Sequence, residues 1–252
     1  MNTLKKLTTP PWLALTFGIP ALILMAALHL TGQDHRHLFV PGTVLEILLW
    51  ILTAALVLLM VFSVQRYSGK AKFTRMFPPS AFGAAGILGA AIAVLWSAGE
   101  VYRSGAGVLE LAACLLGLTA AAALVYLAWC RFRGLRGSYL LWCAVVIFLM
   151  MRLMFCYRMW SAQPELLRYC FPLLASVCLV LAFYYRTAFG VGLGNRRMYL
   201  FFSQTSAFFC LTALGTGFDL FYLGMLLWCL TDLTTLRPFK TGAREELPED
   251  PS

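Results

Sequence analysis

Eight long apolar runs, joined by short connections, constrain this chain more than any other feature of its sequence. The runs cover residues 12–30, 43–64, 80–97, 108–130, 139–159, 167–185, 198–214 and 218–233. A helix needs about 20 residues, with a range of roughly 17–25, to cross the hydrocarbon core of a bilayer. The first six runs reach that length or nearly so. The last two are shorter and are separated only by Gly215-Thr216-Gly217, so they form either a tight helical hairpin or one re-entrant element.

The composition excludes a soluble fold. Of the 252 residues, 61% are hydrophobic and 12% are charged, whereas soluble domains are about 45–50% apolar and about 25% charged. The excess apolar surface has to face lipid, where helices satisfy their own backbone groups. We therefore predict an all-α polytopic transmembrane helix bundle with eight spans, which forms a single transmembrane domain over residues 1–236. Residues 237–252 are predicted to be a disordered acidic cytoplasmic tail.

The lysines and arginines predict the orientation of the chain. If the N-terminus is cytoplasmic, the outer connections hold four of the 20 basic residues, namely Arg36, Arg103, Arg158 and Arg168. Arg152 lies within a span, and the other fifteen basic residues fall in the cytoplasmic connections and tails. The positive-inside rule then places both termini in the cytoplasm with an even number of spans. The same clustering accounts for the net charge of +9 without a nucleic-acid partner.

Arg152 is the charged residue that lies deepest within an apolar run. A guanidinium in hydrocarbon costs about 3 kcal/mol on insertion scales, so it requires a carboxylate or a wet cavity. The predicted outer end of the helix is roughly 10 Å away, and an extended arginine can reach over most of that distance. That reach would meet a carboxylate on a neighbouring helix, and the candidates just inside the outer helix ends are Glu46, Glu110 and Asp219. Two interpretations stay open: a structural ion pair, or an outer vestibule that binds a charged solute.

Other polar residues near the spans have simpler interpretations. Gln204 lies near the middle of the seventh run, where its amide has to form hydrogen bonds. It either links helices or lines a pathway. Glu100 and Arg103 are spaced i,i+3 and are interpreted as a local helix pair, outside the site.

Small residues in the third run predict close helix packing. Ala85 and Gly89, and likewise Gly86 and Ala90, are spaced four residues apart. Such pairs let helix backbones approach closely in lipid. We therefore expect the third helix to be central in the bundle.

Metal, disulfide and catalytic motifs receive little support. His29, Asp34, His35 and His37 are weak candidates for a transition-metal site, and a solvated loop without a fixed fourth ligand is the alternative. The eight cysteines lie in or at the ends of apolar runs without a C-x-x-C pair, so neither disulfides nor zinc are expected. No H-E-x-x-H, G-x-S-x-G or P-loop motif occurs. We therefore assign no catalytic residue and no cofactor.

The C-terminal part of the chain carries a residue pattern that resembles a group of other proteins. Its residues are Arg152, Trp160, Pro164, Tyr169, Leu173, Ala182-Phe183-Tyr184, Arg196-Arg197 and Ala207-Phe208-Phe209. The pattern covers about residues 150–232 and resembles an uncharacterised group of multi-span membrane proteins of anaerobic Gram-positive bacteria. The resemblance implies the topology and a location in the bacterial cytoplasmic membrane, but no activity. That group has an Asp-Gly pair after the seventh span, whereas this chain has Thr216-Gly217 and then Asp219, so the role of Asp219 stays open.

The hypothesis that we place first is a membrane-embedded solute-binding or transport protein, or an accessory subunit of one. It assigns an outward-facing polar site to Arg152 as the charge anchor. The other residues of this hypothesis are the counter-charges or proton carriers Glu46, Glu110 and Asp219, and the lining residue Gln204.

The alternative is a non-enzymatic membrane interaction or sensor subunit that works through a separate partner protein. An intramembrane enzyme has the least support, because no acid/base pair has a recognisable spacing. The expected partners are membrane lipid, a small charged solute and a partner membrane or cytoplasmic protein.

Overall fold

Helices account for nearly all of the residues that the structure describes. The computed structural model describes residues 10–31, 44–65, 76–104, 107–135, 137–160, 166–216 and 219–236. The helices are α1 (Pro10–Thr31), α2 (Val44–Gln65), α3 (Ala81–Ser104), α4 (Val108–Arg133), α5 (Tyr139–Trp160), α6 (Leu166–Val191), α7 (Arg196–Leu214) and α8 (Leu220–Thr235). No strand occurs in these ranges, which confirms the predicted all-α bundle. The predicted tail, 237–252, lies outside them, as do Asp34, His35 and His37.

Several helices continue beyond the apolar runs that predict them. The third run ends at Ser97, but α3 continues to Ser104. The sixth run ends at Tyr185, but α6 continues to Val191. Hydropathy falls at the first polar side chains, whereas the backbone hydrogen bonds of a helix do not depend on side-chain polarity. The extra turns of α6 therefore carry Arg186 into the bundle, whereas Glu100 and Arg103 on the extra turns of α3 are exposed.

Within the described ranges, six helices are long and apolar enough to cross a membrane, namely α1 to α6. Their outward faces carry large apolar side chains. On α2, for example, Ile51 is 60% exposed and Phe62 is 63% exposed, and only five of the 22 residues are buried. Such a surface would be unfavourable in water and suits a lipid environment. The chain is a multi-pass integral membrane protein.

The helices α7 and α8 are shorter and lie more deeply within the bundle. In α7, 13 of the 19 residues are buried, and the helix packs against α1, α2, α6 and α8. Protein rather than lipid surrounds it, which explains how it can carry Ser203-Gln204-Thr205-Ser206. Because α7 and α8 are separate helices in mutual contact, they form the helical hairpin that was one of the two predictions.

The small residues of α3 allow close packing against α8. A Cβ atom built at Gly86 would lie 2.8 Å from the Thr231 Cβ, and one built at Gly224 would lie 2.6 Å from the Gly89 carbonyl oxygen. Neither position has room for a larger side chain. Over half of the most apolar segment of α3, 56%, is buried, the largest share among the six long helices. Both observations confirm a central position for α3.

Contacts between helix ends establish which ends lie together. Phe77, just before α3, packs edge-to-face against Phe189 near the end of α6 and against Tyr199 at the start of α7. The succession of helices is therefore antiparallel in this part of the bundle. The ends of α4, α6 and α8 meet the starts of α3, α5 and α7, and the polar side chains at this end can converge.

Candidate functional site

Arg152 lies in a group of polar side chains contributed by α3, α5, α6 and the start of α8. Its side chain is 6% exposed. The Nε atom donates to Ser97 Oγ at 2.7 Å, and the two terminal nitrogens lie 3.5 Å from Ser176 Oγ and 3.5 Å from Asp219 Oδ2. We call Ser97, Arg152, Ser176, Asp219 and Tyr222 the Arg152 cluster. The predicted burial of this guanidinium beside a carboxylate agrees with its observed position.

Aromatic rings cover the faces of the same guanidinium. Its central carbon lies 3.5 Å from the centroid of the Phe221 ring and 5.3 Å from that of Tyr222. Cation–π contacts of this kind are more favourable where water is excluded. The Tyr222 hydroxyl donates to the Pro172 carbonyl at 3.1 Å, and Ser176 Oγ donates to the same oxygen at 2.9 Å. The Tyr222 bond holds α8 against α6, and the Ser176 bond, which lies within α6, fixes that hydroxyl beside the charge.

Asp219 has two roles at the start of α8. One carboxylate oxygen accepts a hydrogen bond from the Phe221 backbone N–H at 2.8 Å, which caps the helix. The other oxygen faces Arg152 at 3.5 Å, a longer distance than the 2.7–2.9 Å typical of charge-assisted hydrogen bonds. The Asp219 side chain is 28% exposed. The pair therefore extends from the dry interior to the molecular surface.

The structure selects among the predicted counter-charges of Arg152. Of the three, it brings Asp219 to the guanidinium. Glu46 lies in the first turn of α2, whose main packing partners are α1 and α7. The Glu110 carboxylate folds back over Gly107, where a built Cβ atom would lie 3.2 Å from its Cδ atom. Neither Glu46 nor Glu110 contacts Arg152 within the described part of the chain.

Glu100, which the sequence interpretation set aside, lies near this cluster. It is exposed and accepts a hydrogen bond from Trp96 Nε1 at 3.0 Å. It is also close enough to Asp219 and Arg152 to interact with both electrostatically. The sequence interpretation considered only its neighbour on the same helix, Arg103. Spacing along one helix does not reveal contacts between helices, so the proximity of Glu100 to the start of α8 was missed.

Gln204 is fully buried in α7, as its position in the sequence predicts. Neither its Nε2 nor its Oε1 atom has a hydrogen-bond partner among the described residues, and the same holds for Ser203 Oγ. Thr205 and Ser206 donate instead to carbonyls of their own helix. The expected interhelical hydrogen bond of Gln204 is therefore not formed with a described residue, and Gln204 is not a contact of the Arg152 cluster.

The predicted metal site has one residue in the described ranges, His29, in the last turn of α1. No group of three or more histidine, cysteine or acidic side chains that could hold a metal ion occurs in the part of the chain that the structure describes. Asp34, His35 and His37 lie outside that part, so the metal hypothesis stays a prediction.

A second charged group, which the sequence analysis missed, lies at the other end of the bundle. Asp232 is 1% exposed, in the last turn of α8. Its Oδ2 atom lies 3.3 Å from an Arg186 terminal nitrogen and accepts a hydrogen bond from the Tyr199 hydroxyl. Its Oδ1 atom lies 3.9 Å from Arg131 Nη2. We call Arg131, Arg186, Tyr199 and Asp232 the Asp232 cluster.

The two arginines of the Asp232 cluster have different surroundings. The Arg186 guanidinium lies 3.3 Å from the centroid of the Phe77 ring and 5.1 Å from that of Trp142. Arg131 Nη2 donates to Thr235 Oγ1 at 3.3 Å. The Nε and Nη1 atoms of Arg131 are buried without a hydrogen-bond partner among the described residues.

Two signals in the sequence could have identified this cluster. Asp232 is an acid within the eighth apolar run, and an ionisable residue within a span is a functional-site hypothesis by default. Arg186 follows directly after the sixth run, where the positive-inside rule predicts that it lies in a cytoplasmic connection. It is in fact buried, because α6 continues past it.

The two clusters lie near opposite ends of one helix. Asp219 and Asp232 are 13 positions apart in the sequence, which corresponds to about 20 Å along α8 at 1.5 Å per residue. Each cluster joins a buried guanidinium to a carboxylate of this helix or its cap. Comparisons with protein-family models, with curated proteins and with solved structures found no match for this chain.

Proposed function

We propose that this protein binds or transports a small charged solute at the Arg152 cluster, alone or as an accessory subunit, in a bacterial cytoplasmic membrane. The observation that carries the proposal is the pairing of a buried guanidinium with a partly exposed carboxylate. Arg152 is 6% exposed and Asp219 is 28% exposed. A solute can therefore approach from the Asp219 side without the bundle having to open.

The geometry of the pair supports exchange with a solute. The distance of 3.5 Å between Arg152 Nη2 and Asp219 Oδ2 is long for a charge-assisted hydrogen bond. An anionic group of a solute can take over the contact with Arg152, while Asp219 keeps its hydrogen bond to the helix backbone. The carboxylates of Asp219 and Glu100 near Arg152 would then be counter-charges for a cationic group of the same solute, as in an amino acid.

The experiment compares solute binding by the purified protein and by two variants. A panel of amino acids, dicarboxylates, inorganic anions and polyamines is screened by the shift in melting temperature in a neutral detergent. We expect at least one solute to stabilise the unmodified protein and Arg158→Leu, which removes an exposed arginine from the same helix. Arg152→Leu should insert and fold but show no shift.

Two results would count against the proposal. A solute that shifts Arg152→Leu as strongly as the unmodified protein would show that Arg152 is not the anchor. If no solute binds and Arg152→Leu only loses thermal stability, Arg152 is a structural residue. Co-purification with one stoichiometric partner from native membranes would favour the alternative, an interaction or sensor subunit.

A further inference from the structure

A cavity of about 240 Å³ adjoins the Asp232 cluster. Its wall includes Arg131 and Arg186 together with the apolar side chains of Phe77, Trp142 and Leu135. Because one water takes about 30 Å³ of liquid volume, the cavity has space for a small polar group and its hydration. It lies at the opposite end of the bundle from Arg152, so a site in this cavity is independent of the proposed function.

The charges beside this cavity are unbalanced within the cluster. Among the residues that the structure describes, Arg131 and Arg186 face one carboxylate, that of Asp232. The Oδ2 atom of Asp232 already accepts hydrogen bonds from Arg186 and Tyr199. Its Oδ1 atom is 3.9 Å from Arg131 Nη2, which is beyond hydrogen-bond distance. Leaving a buried charged donor unpaired is costly. An anion in the cavity would relieve this cost.

The unpaired donors belong to a side chain that is held in place. The Arg131 side chain is 5% exposed, and its Nη2 atom is fixed by Thr235 Oγ1 at 3.3 Å. Its Nε and Nη1 atoms have no hydrogen-bond partner among the described residues. Both atoms are closed to solvent in this structure, so a phosphate in the cavity would reach one of them after a small rotation of the guanidinium about its contact with Thr235. The planar N–H groups of a guanidinium match phosphate oxygens.

We propose that this cavity binds a phosphate group, with Arg131 as the main ligand and Arg186 as the second positive charge. The position of the site near the ends of the helices favours phosphate as the ligand. Arg131 and Asp232 both lie in the last turns of their helices, where a membrane-spanning helix reaches the headgroup region, and the positive-inside rule predicts that this end is cytoplasmic. Basic pockets between helices at that level bind anionic lipid headgroups. The same chemistry would bind free inorganic phosphate.

Calorimetric titration of the purified full chain in a neutral detergent tests the site and its source of phosphate. The titrants are inorganic phosphate, dihexanoyl phosphatidylglycerol and, as a lipid without net charge, dihexanoyl phosphatidylcholine. Arg131→Gln should weaken binding of the anionic titrant by about tenfold or more, since a hydrogen bond to a charged group contributes about 1.5–3 kcal/mol. The matched control, Arg133→Gln, removes an exposed arginine from the same helix end and should bind normally.

A second pair of variants leaves the cluster itself unchanged. Leu135 lines the cavity and is 52% exposed, so substitutions there should be tolerated by the fold. Leu135→Asp places a negative charge beside the cavity and should weaken binding at least about fivefold. Leu135→Asn is its neutral control and should bind as the unmodified protein does. This pair tests the site even if Arg131→Gln does not fold.

Each outcome either supports or refutes the phosphate site. A lipid headgroup site is supported if phosphatidylglycerol binds saturably and inorganic phosphate does not. Arg131→Gln and Leu135→Asp should then weaken the binding of phosphatidylglycerol. Saturable binding of inorganic phosphate with the same pattern supports a site for the free anion. If neither titrant binds the unmodified protein, or if the variants bind as tightly as their controls, the proposal is wrong.

Discussion

Replacing Asp232 by asparagine removes the carboxylate that Arg131, Arg186 and Tyr199 share, and it changes the size of the side chain very little. Both guanidinium groups would remain buried, because Arg131 is 6% exposed and Arg186 is 2% exposed. Taking away one partner of a buried ion pair typically costs about 3–5 kcal/mol. The new amide oxygen can still accept one hydrogen bond, which returns about 1 kcal/mol. We therefore expect Asp232→Asn to lower the free energy of unfolding by about 2–4 kcal/mol.

The assay is reversible unfolding in mixed micelles by titration with a denaturing detergent, followed by circular dichroism. Asp219→Asn is the comparison variant. Its carboxylate is 28% exposed and asparagine also caps helices, so we expect a loss of about 1 kcal/mol. Adding Arg186→Gln to Asp232→Asn should recover part of the loss, because one of the two buried guanidinium groups that lose the carboxylate is then removed. A loss below about 1 kcal/mol for Asp232→Asn, or no recovery in the double variant, would refute the reasoning.

Three further predictions concern packing and buried polarity. Gly86→Ala should destabilise the protein by about 1–3 kcal/mol in the same assay, because its Cβ would lie 2.8 Å from that of Thr231. Gly99 is on the same helix, and a Cβ atom built there has no described neighbour within 4 Å, so Gly99→Ala should be neutral or stabilising by up to about 1 kcal/mol. Equal losses of stability at both glycines would contradict the close packing at Gly86. Gln204→Leu should raise the melting temperature, since the buried amide lacks a described partner; a lower melting temperature would mean that the amide is bonded. Trp228→Ala should cost about 3–5 kcal/mol, because its ring stacks on a phenylalanine with centroids 3.9 Å apart, and a loss below about 1 kcal/mol would exclude that contribution.

Hydropathy predicts the helices well because length and apolarity decide whether a segment can cross a bilayer. The position of Arg152 within α5 and its need for a carboxylate followed from the same physics. Hydropathy could not predict which of Glu46, Glu110 and Asp219 pairs with Arg152, because that depends on which helices are neighbours. Helix order in the bundle is determined by side-chain packing, which a pattern of apolar runs does not specify.

The Asp232 cluster was missed for a related reason. Arg131 and Arg186 follow apolar runs directly, and hydropathy does not distinguish a charge in a loop from one on an extra helical turn. The structure places them on helices, where both are buried. Asp232 was the available signal, because a lone acid in an apolar run requires a partner. Its partners could be identified only once α4, α6 and α8 were seen to end together.

The central claim is that the two clusters lie near opposite faces of a membrane. Single cysteines at positions 103 and 135, both exposed in the structure, test it directly with a membrane-impermeant maleimide. Right-side-out and inverted vesicles are labelled, and the unsubstituted protein, with its eight cysteines in apolar helices, gives the background. We predict that position 103, near the Arg152 cluster, is labelled only from outside and that position 135, near the Asp232 cluster, is labelled only from inside. Labelling of both positions from the same side would contradict the claim.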